Sequence, residues 1–259
     1  MKRIVIGLLA GLVSISGWSA CTYNLDATQT QITGAMNGAS VFPSIVGSKA
    51  SFTFTPNSGD KIYAAISGVF SNSLAQFKTS FWKTTGDKLI PTTGTLAFEF
   101  KIKVPTHTLP TGETLILFPI GVSGTTQGNN NSFMIMITQG NNNNDPDTAF
   151  HVAAGAYGSA QQLTFPLVAT ASGYQKFGFY INQDLKKIGL TVNGVNVGYV
   201  GEYTNVATNF ATDFTALVKP LASNASIIGE TSSFEIITDH NNLTEPFPLG
   251  AKDICGNTI

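Results

Sequence analysis

The sequence predicts an all-β fold, a two-sheet antiparallel β-sandwich. Three observations carry that expectation. Short apolar segments recur at roughly 10- to 15-residue spacing with Gly, Asn and Pro between them. One of them, "TLAFEFKIKVP", alternates strictly. It sets Leu96, Phe98, Phe100, Ile102 and Val104 on one face, and Ala97, Glu99, Lys101 and Lys103 on a wet face. Another, "LTVNGVNVG", holds an Asn-Gly pair between two apolar runs, the signature of a two-residue hairpin with a type I′ turn.

The chain opens with Lys2 and Arg3, an apolar run from Ile4 to Val13, and then small residues. That is the layout of a secretory signal, and it is too short to span a bilayer. Residues 1–20 read as a signal peptide and 21–259 as one β-sandwich domain, with no transmembrane span. Charge is sparse, at 11% of residues, where about 25% is usual. Taking Lys2 and Arg3 from the 14 basic residues leaves 12 against 15 acidic ones, a net charge of −3, and no arginine. A negative chain without guanidinium forks is a poor partner for nucleic acid. Its surface must be built from Thr, Asn, Ser, Gln and Gly, which suits a periplasmic, cell-surface or secreted protein.

Cys21 and Cys255 have two readings. An even count in an exported chain points to a disulfide that joins the two ends. Such a bridge would stabilise the fold by up to roughly 5 kcal/mol through loop-closure entropy. Alternatively, "WSAC" partly resembles a lipoprotein signal in which Cys21 is acylated, although Trp18 stands where Leu is usual. Lipidation would leave Cys255 as an odd thiol, so the bridge is favoured.

The other elements follow in order. "ASFTFTP" places Phe52 and Phe54 on one face. "IYAAISGVFSNSLAQF" fits strand or helix. "ETLILFPIGV" and "SFMIMITQ" read as strands, the second apolar on both faces and so covered on both sides. "AFHVAAGAYG" and "YQKFGFYINQ" read as strands. In the hairpin, Val192 is expected opposite Val195 and Leu190 opposite Val197, all on one face. "EYTNVATNFATDFTALVKPL" spaces Val206, Phe210, Phe214 and Leu217 as a short helix would. "SIIG" and "SFEIITD" close the chain as strands.

From Tyr174 to Gly198 the order is strand, polar turn, strand, Asn-Gly turn, strand. This resembles the concanavalin A-like and laminin-G-like jelly rolls, with Tyr174 at a position where those families usually carry Trp. By looser pattern the resemblance extends from Thr95 to Asp239. It implies a jelly-roll sandwich and, as a ligand class, glycans; the fold alone implies no activity.

Two Asn-rich segments stand out, Gly124–Ser132 and Gln139–Asp147, on either side of one strand. Asn129, Asn130, Asn131, Asn142 and Asn143 are candidate contacts to sugar hydroxyls, with Trp82 as a candidate stacking ring. Asp145 and Asp147, with Asn carbonyls, are candidate ligands for calcium. No catalytic residue is identified. His107, His151 and His240 are scattered, and "GVSGT" departs from the G-x-S-x-G elbow at its fifth position. Glu235 and Asp239 share a face of "FEIITDH", without the intermediate acid of jelly-roll glycosidases, and Glu99 reads as part of a solvated face. The expected function is non-catalytic recognition of glycan at the cell envelope. The alternatives are a structural or adhesive subunit that binds protein by strand pairing, and a glycoside hydrolase or lyase.

Overall fold

The computed structural model describes residues 21–76, 87–106, 116–117, 120–125, 131–140, 149–156 and 159–259. Two sheets face each other across an aromatic core. The first half of the chain supplies β1 (Ala39–Val41), β2 (Ser44–Val46), β3 (Lys49–Thr53), β4 (Lys61–Ile66), β5 (Lys88–Leu89), β6 (Thr95–Lys103), β7 (Ile116–Leu117) and β8 (Ile120–Thr125). The second half supplies β9 (Asn131–Gln139), β10 (Phe150–Gly155), β11 (Gln161–Phe165), β12 (Gln175–Asn182), β13 (Lys187–Val192), β14 (Val195–Glu202), β15 (Asn209–Val218), β16 (Thr231–Ile237) and β17 (Lys252–Asp253). Sheet I runs β1-β4-β15-β8-β9-β10-β11, with β5 and β7 also paired to β15. Sheet II runs β14-β13-β12-β6-β16-β3-β2, with β17 beside β6. The chain crosses repeatedly between the sheets, and the fold is a two-sheet, largely antiparallel β-sandwich. Among the described residues only β1–β4 and β17–β6 are parallel.

Period-2 alternation builds the core. Phe98 and Phe100 of β6 meet Phe210 and Phe214 of β15, with ring centroids 5.0 and 5.9 Å apart. Phe234 of β16 packs on Phe214 at 5.8 Å. All five rings are buried. β15 overturns the expected helix: Phe210 and Phe214, four apart, share a strand face as readily as a helix face, and the segment is rich in β-branched Thr. The ambiguous "IYAAISGVFSNSLAQF" divides into β4 and helix α2 (Gly68–Gln76). A further helix, α1 (Gln29–Ala35), was not expected. It begins at a reciprocal capping box between Thr28 and Gln31. Both helices cover the outer face of sheet I through Ile32, Phe70 and Leu74, which pack on Ala64, Ile66 and Ala211. No helix among the described residues is long and apolar enough to cross a membrane.

Four other expectations change. "SIIG" is a turn, although Ile227 is buried. Met136 of β9 is 36% exposed, so that strand is not covered on both sides. In the hairpin, Asn193 and Gly194 take the positive φ values of the turn and Val192 faces Val195. Leu190, however, faces Gly198 and not Val197, because a bulge intervenes where Gly198 adopts φ +90°. Val195 and Val197 therefore lie exposed on the edge strand while Leu190 is buried. Finally, Glu99 is fully buried and not solvated.

The C-terminal segment buries it. After β16 the chain returns across the outer face of sheet II. Leu243, Phe247 and Ala251 pack on Ala97 and Tyr180. The Glu99 carboxylate accepts hydrogen bonds from the Thr244 N–H (2.8 Å), the Thr244 hydroxyl (2.9 Å) and the Glu245 N–H (3.1 Å). The return ends at Cys255, bridged to Cys21 with Cα atoms 5.9 Å apart. The bridge consumes the Cys21 thiol, so acylation and this structure are mutually exclusive. Asp253 organises the last turn. Its carboxylate accepts from the Cys255 and Asn257 N–H groups, the Asn257 side-chain amide and His240 Nδ1. Burial alone would raise its pKa, but these hydrogen bonds from Asn257, His240 and Cys255 outweigh it and hold the carboxyl below the usual range.

Two predictions follow from this packing. Gly201 of β14 lies where a Cβ would collide with the Ala154 carbonyl of β10. Gly201→Ala is expected to lower the unfolding free energy by about 2 kcal/mol. Gly59→Ala, facing open space, should stay within about 0.5 kcal/mol; denaturant titration checks both. Because the Asp253 pKa is lowered by folding, its stabilisation is present above about pH 4 and is lost as pH falls through its depressed pKa. Asp253→Asn should lower stability at neutral pH and flatten the acid limb, read from unfolding curves between about pH 2 and 7.

Candidate functional site

The C-terminal return covers only part of sheet II and leaves the outer face of β3, β16 and β6 open beside it. Strand register decides which side chains meet there. Glu235 of β16 lies opposite Lys49 of β3 on one side and Lys101 of β6 on the other. Lys101 lies opposite Lys176 of β12. One row thus reads Lys49, Glu235, Lys101, Lys176 across four strands. The neighbouring row sets Ser233 between Ser51 and Lys103. Tyr174, just before β12, flanks Lys103.

A cleft of about 480 Å³ opens on this face. Lys101 and Glu235 form its floor, and Thr22, Ser48, Asn242 and Thr244 stand around it. The Lys176 ammonium donates to the Thr244 hydroxyl at 2.8 Å, so the charged row ends against the cleft wall. At the other end the Lys49 ammonium donates to the Tyr174 hydroxyl at 3.1 Å and lies 5.5 Å from its ring centroid. Tyr174 is half-buried. Burial alone would raise its pKa, but hydrogen bonds with Ser233 and Lys49 and the charges of Lys49 and Lys103 bring it below the ordinary phenol value. The arrangement presents hydroxyls, amides, cations and one aromatic edge to a polar ligand.

The acids on this side of the molecule have distinct roles. Glu235 and Asp239 both line the cleft, as their spacing predicts. Asp239 is buried beyond the end of β16, however, and accepts from the backbone and side-chain amides of Asn241. Asp239, His240 and Asp253 bring potential metal ligands within 4.8 Å of one another. Their chemistry does not fit a cation. Both Asp253 oxygens are already met by N–H donors, and His240 Nδ1 sits 3.1 Å from Asp253 and 3.3 Å from Asp239 as a hydrogen-bonding hub. Glu99 is likewise fully engaged in holding the return.

Trp82, Asn129, Asn130, Asn142, Asn143, Asp145 and Asp147 lie outside the described residues, as does His107. Asn131 is placed by its backbone at the start of β9, which separates the two Asn-rich segments. His151 lies on sheet I, its Nδ1 3.2 Å from the Thr164 hydroxyl, whereas His240 lies in the turn after β16. The residues that sequence reasoning missed are Lys49, Lys101, Lys103, Lys176 and Tyr174. Only the register brings them together.

The comparison with curated proteins returned no match. Among solved structures the chain is similar to a native glycosidic hydrolase, at 13% identity and TM-score 0.42, over 77% of this chain and 82% of that one. It is also similar to the β-glucanase of Bacillus licheniformis, at 11% identity and TM-score 0.40, over 77% and 84%. Porphyranase B from Zobellia galactanivorans aligns at 7% identity and TM-score 0.39, over 78% and 82%. Residues 6–257 match the family model described as a domain of unknown function, DUF4882, and the chain belongs to that family.

Proposed function

We propose that this is an exported, non-catalytic recognition protein that binds glycan at the cell envelope, with residues 1–20 removed as a signal and 21–259 acting as one unit. The observation that carries this reading is the open cleft on sheet II, with its walls of hydroxyl and amide side chains. Such groups exchange hydrogen bonds with water for hydrogen bonds with sugar hydroxyls at little cost. The Cys21–Cys255 bridge supports export, since disulfides persist in oxidising compartments.

Recognition is favoured over hydrolysis by the state of the acids. Glycoside hydrolysis uses two carboxylates flanking the scissile bond. Around this cleft Asp239 is held by Asn241 and Glu99 by Thr244 and Glu245, which leaves Glu235, among the described residues, as the acid on the cleft floor. A structural subunit that pairs strands with a partner would use the exposed edge strand β14. That edge is bulged twice, and its Glu202 carbonyl already accepts from the Ala156 N–H of the opposite sheet. Bulges are a means of blunting edges.

Incubation of the purified protein with pooled bacterial and host glycans, in calcium and then in chelator, tests the reading. Glycan is expected to be retained at unchanged length. Loss of retention in chelator would assign a role to calcium. Shortened glycan would replace the binding role with hydrolysis or lysis, and no retention in either condition would overturn the glycan reading.

A further inference from the structure

We propose that the lysine row on the outer face of sheet II binds the anionic groups of an acidic polysaccharide, with the Tyr174 ring as a stacking surface for one of its sugars. The proposal rests on the glycan-binding reading and names the class of glycan.

The charge distribution carries it. Twelve lysines follow the signal segment, in a chain whose net charge is then −3. Four of them, Lys49, Lys101, Lys103 and Lys176, sit on neighbouring positions of one face, with Glu235 as the acid among them. Lys101 and Lys176 lie directly opposite each other across a strand pair. Like charges in that position destabilise a sheet. Elsewhere, Lys187 pairs with Glu202 at 3.3 Å and Lys219 with Asp60 at 2.5 Å, while Lys61 and Lys88 stand apart from one another and donate to the Thr55 hydroxyl and the Thr22 carbonyl. On this face, among the described residues, no ion pair within 4.0 Å compensates the four. Lys49 and Lys176 donate to neutral hydroxyls, of Tyr174 and Thr244. A concentration of cations without acid partners, which costs stability, is accounted for by a ligand that brings the opposite charge.

Geometry narrows the ligand. Lys49 and Lys101 stand two strand widths apart, about 10 Å, and Lys176 extends the row by one more strand. A ladder of cations at strand spacing suits a linear chain with repeating anionic groups better than a single small anion. Tyr174 lies at one end, with Lys49 beside its ring and the Lys103 stem against Gly173. The hydroxyl- and amide-lined cleft adjoins the row at Lys101 and Glu235. Rings, hydroxyl partners and cations together match a sugar chain that carries carboxylate or sulfate.

Affinity electrophoresis of the oxidised protein through gels containing polygalacturonate, dextran sulfate or neutral dextran tests the proposal. EDTA in every gel removes bridging by calcium. Retardation is expected in at least one acidic gel and not in dextran, and it should weaken as salt rises. Which acidic polymer retards the protein distinguishes carboxylate from sulfate. Lys101→Gln and Lys103→Gln should each weaken retention about three- to tenfold, and Tyr174→Ala should weaken it too. Lys187→Gln, on β13 beside the edge strand β14, should leave it unchanged. Thermal unfolding midpoints close to the parent's would show that the variants fold. Retardation by acidic polymers that the Lys101 and Lys103 variants do not alter would overturn this placement. Retardation by dextran alone would overturn the acidic class and leave the glycan reading standing. Retardation by none of the three would overturn the proposal, and the glycan reading would then rest on the pooled-glycan result.

Discussion

The burial of the Glu99 carboxylate is the constraint on which the open face of sheet II depends. A charge in the interior is tolerated only where donors replace its water, and here the donors all come from Thr244 and Glu245. That requirement draws the C-terminal return onto sheet II and fixes where it crosses. The same crossing covers Ala97 and Tyr180 with apolar side chains and leaves Lys101 and Glu235 open one register step away. A single buried carboxylate thus marks the boundary between a covered and an open half of one sheet. The disulfide and the Asp253 turn then secure the far end of the return.

The inner faces were legible in the sequence because burial between two sheets imposes a strict alternation. Leu96 to Val104, Phe52 with Phe54, and Phe177 to Ile181 all face the core as their spacing implies. The hairpin turn was legible too, since Asn193-Gly194 is a local chemical signal. Its register was not. The bulge at Gly198 shifts the pairing by one residue, and the close approach of β14 to β10 at Gly201 is a contact remote in sequence. The same limit explains β15, where a spacing of four is shared by both periodicities and only pairing with β4 and β8 decides. The capping box at Thr28 and Gln31 was a readable signal for the first helix.

Outer faces follow a weaker rule. A polar alternation such as Glu99, Lys101, Lys103 looks the same whether water, a ligand or another part of the chain will meet it. In the folded protein these three residues meet different fates within four strand positions: Glu99 is buried, Lys101 lines a cleft and Lys103 is exposed. Composition identified the bridge between Cys21 and Cys255 and the low charge of the chain. It did not reveal that a third of the remaining lysines share one patch, because that fact exists only in the pairing of β3, β16, β6 and β12.

The cleft draws on Thr22, Ser48, Lys101, Glu235 and Thr244, positions scattered from one end of the chain to the other. No contiguous stretch contains it. The site therefore has no portable form: it cannot be moved into another protein as a motif or preserved in a fragment that stops short of Thr244. Its inheritance is that of the whole fold, and relatives that lose either end of the chain would keep the sandwich's pattern while losing this cleft.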